Sequence, residues 1–288
     1  MAATIGQLWS LFKLRIGLAI MLCALAGLAV TPGPALPAWK IVVLALAVLL
    51  SAASAGAFNQ FVERDLDARM ARTRNRPFVT GEYRAGPLWL SIILLILAVA
   101  VAAAAFTLNL AAALHVFLGA FVYGVVYTVW LKTRTWLNIV LGGLAGSFAV
   151  LAGASAVDPG LAPAPLILSL VLFLWTPPHF WSLATAMHKD YAEAGVPMLP
   201  VVVGDAVAAR VILAHTVALV LLSLLPVVYG LGWIYLLGAA VGGGFFVLKS
   251  VHLVQNPGPA AAMANFKASL LQLGLLLFAA ILDRALLA

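Results

Sequence analysis

The chain has 288 residues, of which 65% are hydrophobic and only 9% charged, and its formal net charge is +7. Roughly 25% of the residues in an ordinary soluble domain are charged, so a soluble fold cannot bury this much apolar surface. Apolar runs of about 20 residues recur along the whole length, and each is long enough to cross a bilayer as a helix. The composition therefore predicts an all-α, polytopic membrane protein.

The apolar runs predict nine transmembrane helices in a bundle. For the first span the alternative is a secretory signal, because Lys13 and Arg15 precede a short apolar stretch that Pro-Gly-Pro-Ala follows. Two long polar loops, 62–87 and 188–207, follow the second and sixth spans, which indicates two four-helix halves plus a ninth helix within a single domain, 1–288. The predicted spans are 14–31, 41–61, 88–107, 110–131, 138–157, 166–187, 208–229, 232–250 and 267–286.

The basic residues predict the orientation. With the N-terminus in the cytoplasm, fourteen of the sixteen Lys and Arg residues fall in cytoplasmic segments, and only Lys40 and Arg284 lie outside. The C-terminus is then outside. Because the positive charge is confined to short interhelical loops, it indicates topology and attraction of an anionic substrate or lipid, and no nucleic-acid partner is expected. Cys23 is the single cysteine, which excludes an intrachain disulfide.

A polar motif follows the second span. If the helix continues, Asn59, Glu63 and Asp67 advance by about 40° and about 6 Å per step, so their side chains project from one side. Asp65 points elsewhere and is available to orient a neighbouring Arg. Carboxylate and amide oxygens suit Mg²⁺, which usually takes further ligands from substrate phosphates. The spacing predicts a metal-bridged diphosphate at this end of the helix.

A basic run, Arg72-Thr-Arg-Asn-Arg76-Pro, comes directly after this motif. Guanidinium groups bind phosphate oxygens bidentately, so Arg72 and Arg76 are candidate diphosphate ligands. The alternative is a solvated loop whose Arg residues serve only topology, with Glu63 and Asp67 offering them salt bridges.

Two further segments contribute candidates. Lys132 and Arg134 lie in the turn between the fourth and fifth spans, where a topological role and diphosphate binding are equally compatible with the sequence. Tyr127 lies near the end of the fourth span, five residues before Lys132, and both are candidate substrate-binding residues. In the loop after the sixth span, Asp190, together with Glu193, offers a second set of metal ligands. The same loop offers one more phosphate contact, Lys189.

Pro177 and Pro178 precede a histidine near the end of the sixth span. Two consecutive prolines are expected to break or kink the helix, which frees carbonyls and can open a pocket at membrane depth. His179 is therefore a candidate substrate-binding residue. The alternative is a hydrogen-bonded packing residue, which is also the default interpretation of His115 and His215.

The pattern Asn-x-x-x-Glu-x-x-x-Asp followed by Arg-Thr-x-x-Arg-Pro resembles the intramembrane aromatic prenyltransferase superfamily. Within it, the segments 59–77, 127–143, 175–181 and 190–200 are similar to the branch that farnesylates protohaem IX. The resemblance implies a helical bundle around a central cavity open to lipid, in a bacterial inner membrane. It also implies transfer of the farnesyl group of farnesyl diphosphate to a vinyl group of haem b, with water addition, to give haem O for terminal oxidases. A downstream haem-modifying enzyme is then a candidate partner.

The sequence departs from the superfamily at its second Asp-x-x-x-Asp motif, whose positions correspond to Met187 and Tyr191. Of the acidic residues only Asp190 lies close to these positions, so it completes the expected Mg²⁺ ligand set with the three oxygen ligands of the first motif. Two alternatives remain. One is a prenyltransferase acting on a quinone precursor or another aromatic acceptor, and the other is a transporter, whose site is expected near the bilayer midplane rather than at one face.

Overall fold

The computed structural model describes residues 2–287, and all regular structure in this range is helical. Short helices lie in the loops, and one span contains a π-helix. The elements are α1 (Ala2–Leu11), α2 (Leu14–Val30), α3 (Ala38–Val62), α4 (Arg64–Asp67), α5 (Pro77–Thr80), α6 (Pro87–Thr107), α7 (Leu110–Phe121), the π-helix (Val122–Leu131), α8 (Asn138–Gly142), α9 (Leu144–Val157), α10 (Pro163–Ala186), α11 (His188–Glu193), α12 (Leu199–Val203), α13 (Asp205–Leu224), a 3₁₀ turn (Leu225–Tyr229), α14 (Trp233–Gln255) and α15 (Pro259–Leu287).

Within residues 2–287, eight helical segments are long and apolar enough to cross a membrane. A ninth span results if α1 and α2, which meet at 52°, are counted together. The predicted spans agree with these helices, with the largest differences at the last two: α14 extends to Gln255, and α15 begins at Pro259 rather than at residue 267. The sequence did not predict α1, which is separated from α2 by the left-handed backbone of Lys13 (φ 47°).

Large apolar side chains cover the outside of the bundle. Phe106 is 91% exposed, Leu95 64% and Leu248 68%. In water this surface would be strongly unfavourable, whereas in a bilayer it contacts lipid. The protein is therefore an integral membrane protein, as the composition predicts.

The spans pack in two groups. In the first, α2, α3, α7 and α9 surround an apolar cavity, and α6 packs on the outside of α3 and α7. In the second, α10, α13, α14 and α15 pack around one another. Contacts of α9 with α10 and of α2 with α15 join the two groups. The two groups are defined by packing alone, and the division of the chain into two related halves stays a prediction.

Glycines bring α2 and α9 into close contact. A Cβ atom on Gly153 would lie 1.8 Å from the carbonyl oxygen of Ala24, and one on Gly27 would lie 2.1 Å from that of Val150. Small residues at such crossings let helix backbones approach within a membrane. Gly153 and Gly27 are therefore the positions where α9 and α2 are in closest contact with each other's backbone.

The expected break at the two prolines is wrong, because α10 continues through Pro177 and Pro178 to Ala186. The carbonyl groups that lose an N–H partner to these prolines belong to Phe173 and Leu174, four residues earlier. α10 packs against α9, α13 and α15. Support from neighbouring helices is one way in which transmembrane helices tolerate proline.

Candidate functional site

The oxygen ladder, defined here as Asn59, Glu63 and Asp67, faces the protein interior. α3 and α4 are separated only at Glu63, and helical hydrogen bonds span the junction: the Glu63 N–H donates to the Asn59 carbonyl at 3.0 Å, and the Asp67 N–H donates to the Glu63 carbonyl at 2.7 Å. The three residues are only 2%, 5% and 2% exposed. Asp65, in the same turn, has a side chain 89% exposed and lies near Arg64. The spacing of four residues thus places the three ladder side chains in the interior, whereas Asp65, which is out of this register, faces solvent.

Each residue of the oxygen ladder contacts its own cation, and each cation comes from a different segment of the chain. Lys13 Nζ donates to Asn59 Oδ1 at 2.6 Å. Lys132 Nζ lies 2.5 Å from Glu63 Oε2, and Arg76 Nη1 lies 2.6 Å from Asp67 Oδ2. Arg76 and Lys132 were predicted as diphosphate ligands, and both are in direct contact with the ladder. The salt bridge from Arg76 to Asp67 is the one that the alternative interpretation offered, but it is largely buried rather than solvated.

Lys13 was not predicted as a site residue. It lies at the bend between α1 and α2, and its ammonium group also donates to the Tyr123 hydroxyl at 3.0 Å. Burial, and to a lesser extent the nearby charge of Arg76, lower the pKa of Lys13 to about 7. The lowered pKa reflects desolvation together with nearby positive charge, and the attraction of a bound anion would offset both by favouring the charged form.

The loop after the sixth span reaches the site through Tyr191. This side chain is buried, and Arg72 lies close to its hydroxyl group. Burial raises the pKa of Tyr191, while the nearby Arg72 lowers it. Tyr191 occupies one of the two positions where the superfamily carries its second pair of aspartates. The structure therefore places Tyr191 and Arg72 together, and the exposed guanidinium of Arg72 remains available to a ligand.

Asp190 and Lys189 lie elsewhere. They line a separate depression together with His188 and Asp205, whose side chains form an ion pair at 2.8 Å. Lys189 is exposed and Asp190 is partly exposed. The structure thus does not bring Asp190 to the oxygen ladder, and its role as a metal ligand stays a prediction.

A ten-residue π-helix, Val122–Leu131, forms one wall of the site. Its widened turn is visible in the bond from the Lys132 N–H to the Tyr127 carbonyl, five residues earlier, at 2.9 Å. Tyr127 stacks on Tyr123 with ring centroids 5.5 Å apart, and Lys132 Nζ lies 5.9 Å from the Tyr127 ring centroid. π-Helical segments are rare and often mark functional sites. This one places two tyrosines and a lysine beside α3.

An apolar cavity begins beside Lys13 and extends into the first group of helices, and its empty space, together with the part open to the outside, amounts to about 560 Å³. Lys13, Gly56 and Tyr123 line the end next to the oxygen ladder, and Val48 and His115 line the far end. Along α3 the eight residues from Gly56 to Val48 correspond to about 12 Å. The site therefore combines a charged entrance with an apolar, elongated interior.

The histidines differ in their surroundings. His115 lines the apolar cavity, and its Nδ1 lies 3.0 Å from Ser155 Oγ. His179 does not line that cavity. Its Nδ1 lies 2.7 Å from Ser269 Oγ, and its ring stacks between Trp175 and Phe266 at centroid distances of 4.2 and 4.5 Å. This is the arrangement of a hydrogen-bonded packing residue at the interface of α10 and α15.

The oxygen ladder fits a hard divalent cation. Glu63 Oε1 is buried and has no hydrogen-bond partner among residues 2–287, which leaves one carboxylate oxygen available inside the site. No group of three or more His, Cys, Asp or Glu side chains suited to a metal occurs in the part of the chain that the structure describes. Mg²⁺ does not need one, since it is commonly held by one or two carboxylates with water and substrate phosphates.

Fold and site together define an integral membrane protein with a cation-rich polar site at the mouth of an apolar cavity. The sequence profile of the UbiA prenyltransferase family matches residues 20–276. The chain belongs to this family and is a membrane-embedded prenyltransferase.

Its relatives are similar along nearly the full length. It is 60% identical over 283 residues to Protoheme IX farnesyltransferase 2 of Paramagnetospirillum magneticum, covering 98% of both chains. It is 47% identical to Protoheme IX farnesyltransferase 1 of the same organism, covering 98% of this chain and 99% of the relative.

Solved structures share the fold at low identity. A digeranylgeranylglyceryl phosphate synthase superposes with a TM-score of 0.80 at 17% identity, covering 97% of this chain and 98% of the other. A UbiA homologue from Archaeoglobus fulgidus, bound to GPP and Mg²⁺, superposes with a TM-score of 0.71 at 19% identity, covering 96% and 99%. The helical bundle is therefore the fold of this family.

Proposed function

We propose that this protein transfers the farnesyl group of farnesyl diphosphate to a vinyl group of haem b, with addition of water, to form haem O. The observation that carries the proposal is the 60% identity, over 98% of both chains, to a protein named Protoheme IX farnesyltransferase 2. Identity at this level, without long insertions on either side, supports a common substrate pair. The residues of the site are suited to the chemistry.

The first step breaks the bond between C1 of the farnesyl group and the diphosphate oxygen, and the diphosphate leaves with the bonding electrons. Four cations stand near the leaving group, namely Lys13, Arg72, Arg76 and Lys132, against two carboxylates of the oxygen ladder. This excess of positive charge stabilises the developing anion in a site largely shielded from water, where electrostatic stabilisation is most effective. Arg72 and Arg76 add bidentate hydrogen bonds to phosphate oxygens.

Asn59, Glu63 and Asp67 would hold Mg²⁺, which supplies Lewis-acid stabilisation of the diphosphate when bound. The neighbouring structure bound to GPP and Mg²⁺ supports metal use in this fold. Asp190 is a candidate for a second ligand set only if the loop that carries α11 moves toward the ladder. The ladder alone is therefore our primary metal site.

The apolar cavity receives the farnesyl chain, with C1 at the end lined by Lys13 and Tyr123. Its apolar walls keep water away from the allylic cation, and the faces of Tyr123 and Tyr127 can stabilise positive charge. The terminal carbon of the haem vinyl group bonds to C1, and the positive charge passes to the inner vinyl carbon. Water adds there and releases a proton, which completes the hydroxyethylfarnesyl group of haem O.

The reaction fits a membrane setting. Both substrates are amphiphilic, and the exposed apolar surface of the bundle lies in the bilayer. We place the protein in a bacterial inner membrane with its N-terminus in the cytoplasm and its C-terminus outside, because this orientation leaves the fewest basic residues outside. The product then passes to a terminal oxidase or to a haem-modifying enzyme.

The test is reconstitution. The purified protein in lipid nanodiscs is incubated with haem b, farnesyl diphosphate and Mg²⁺, and the extracted pigments are analysed by mass spectrometry. We expect haem b to gain one farnesyl group and one hydroxyl group, and chelation of divalent metal to stop the reaction. Unmodified haem b, together with prenylation of an aromatic acid in parallel samples, would contradict the proposal and favour a quinone-precursor acceptor.

A further inference from the structure

We propose that Thr128 is a positioning residue that holds the side-chain amide of Asn59 with its oxygen directed at the diphosphate site. Thr128 belongs to the π-helix, and none of its atoms takes part in the proposed reaction steps. The inference rests on the proposed function, because it concerns the metal and diphosphate site of that reaction. The supporting observation is a series of hydrogen bonds in which the chemistry of each group determines which atom donates and which accepts.

The hydroxyl group of Thr128 has a single proton to donate. Thr128 Oγ1 lies 2.8 Å from the carbonyl oxygen of Tyr123, which can only accept, so the proton is used there. Toward Asn59, at 3.0 Å, the hydroxyl can therefore only accept, and the atom facing it must be the donor Nδ2. The other end of the amide is then Oδ1.

A second, independent contact fixes the same orientation. The ammonium group of Lys13 can only donate, and it lies 2.6 Å from Asn59 Oδ1. Asn59 is 2% exposed and Thr128 is 6% exposed, so bulk water does not replace either partner. The amide is thus held from both ends, with its oxygen toward the cation site.

The π-helix is what makes this bond possible. The Tyr123 carbonyl precedes Thr128 by five residues. In ordinary α-helices a Thr hydroxyl donates to the carbonyl four residues earlier, and four other threonines of this chain do so, namely Thr31, Thr107, Thr176 and Thr216. The widened turns of the π-helix place a different carbonyl at Thr128 and turn its lone pairs toward α3.

The orientation matters because the oxygen of the amide accepts hydrogen bonds and binds cations, whereas its nitrogen only donates hydrogen bonds. A metal ion or an ammonium group at the site needs the oxygen, whereas a flipped Asn59 would present two N–H groups to it. The structure assigns Thr128 the task of preventing that flip when Lys13 moves to a bound diphosphate. A carboxylate at position 59 would need no such control, since both of its ends are oxygen.

The difference between an amide and a carboxylate at position 59 is the basis of the experiment. Binding of Mn²⁺ together with inorganic pyrophosphate is measured by electron paramagnetic resonance on the full-length protein in nanodiscs. Thr128→Val is expected to weaken binding about fivefold, the effect of one hydrogen bond, while Thr128→Ser stays within about twofold of wild type. In an Asn59→Asp background, Thr128→Val is expected to have no effect. Thermal unfolding confirms that each variant is folded, and Thr128→Ala replaces the valine variant if that one is not.

The outcomes separate the two proposals. If the wild-type protein does not bind Mn²⁺ and pyrophosphate, the proposed metal and diphosphate site is wrong, and the inference falls with it. If the wild-type protein binds but Thr128→Val binds equally well, only the inference is wrong. An equal loss in the wild-type and Asn59→Asp backgrounds would also overturn it, because a merely structural role of Thr128 predicts that result.

Discussion

Lys132 Nζ and Glu63 Oε2 form an ion pair at 2.5 Å, with side chains only 12% and 4% exposed, between the end of the π-helix and the junction of α3 and α4. Within the described residues, the second carboxylate oxygen of Glu63 remains without a partner. Under the proposed function, Lys132 competes with a metal ion for Glu63 and also binds the diphosphate.

We predict that Lys132→Met changes these two affinities in opposite directions. Mn²⁺ alone should bind more tightly, because the competing ammonium is gone. Pyrophosphate in the presence of Mn²⁺ should bind about tenfold more weakly, because a charge-assisted contact is lost. Calorimetry with each ligand measures both, and Arg134→Met, an exposed charge in the same turn, serves as the control. A parallel loss of both affinities would contradict this interpretation of the pair.

The carboxylates of one helical turn should differ sharply in function. Asp67→Asn is expected to reduce farnesyl transfer to the background of the assay, because the buried carboxylate that faces Arg76 is lost. Glu63→Gln should do the same. Asp65→Asn, two residues away and exposed to solvent, should retain wild-type turnover. Rates from pigment analysis, with size-exclusion profiles as evidence of folding, check the comparison. Normal turnover by Asp67→Asn would rule out the metal assignment.

Lys13 should bind substrate, whereas its neighbour Arg15 should not. Lys13→Met removes the contacts with Asn59 and Tyr123 and one positive charge at the mouth of the cavity. We expect KM for farnesyl diphosphate to rise about tenfold, and Lys13→Arg to recover part of the loss. Arg15→Met, which removes an exposed charge of the same sign, should leave KM unchanged. Equal effects of the two methionine variants would indicate a long-range charge effect instead.

Helix packing offers a matched pair of glycine substitutions. A Cβ atom on Gly153 would lie 1.8 Å from a backbone oxygen of α2, whereas the nearest atom to one on Gly146 is 4.0 Å away. Gly153→Ala should therefore force α2 and α9 apart and destabilise the protein by about 2 kcal/mol. Gly146→Ala should be neutral or stabilising, because alanine is the better helix former. Thermal unfolding in detergent measures both, and similar melting temperatures would contradict the close contact.

Much of this architecture could be predicted from the sequence because it depends on local patterns. Spans of about 20 apolar residues must be helical in lipid, whatever their neighbours. The placement of the three ladder residues on one side follows from the helical period, whereas the inward orientation of that side is seen only in the structure. Asp65 could be separated from Asp67 for the same reason.

Other features depend on tertiary contacts that no local pattern encodes. In the sequence, Lys13 looks like a basic residue that serves only membrane topology. In the structure, the bend between α1 and α2 places it against Asn59. The π-helix has no sequence signature in Val122–Leu131, and its register is what directs Thr128 and Lys132 toward α3. Pro177 and Pro178 indicated a broken or kinked helix, but α10 is unbroken and packs against neighbouring helices. Tyr191 was not among the predicted site residues, because tyrosine has no carboxylate to offer a metal at a position where the superfamily pattern has aspartate.

The elbow between α1 and α2 has a practical consequence. Because the two helices meet at 52° beside Lys13, a change in the angle of α1 shifts this ammonium group relative to Asn59. A bulky N-terminal fusion, or a detergent micelle of unsuitable curvature, can therefore weaken catalysis without altering any side chain of the reaction centre. Affinity tags for purification belong at the opposite terminus, and flat lipid discs are the better medium for measuring rates.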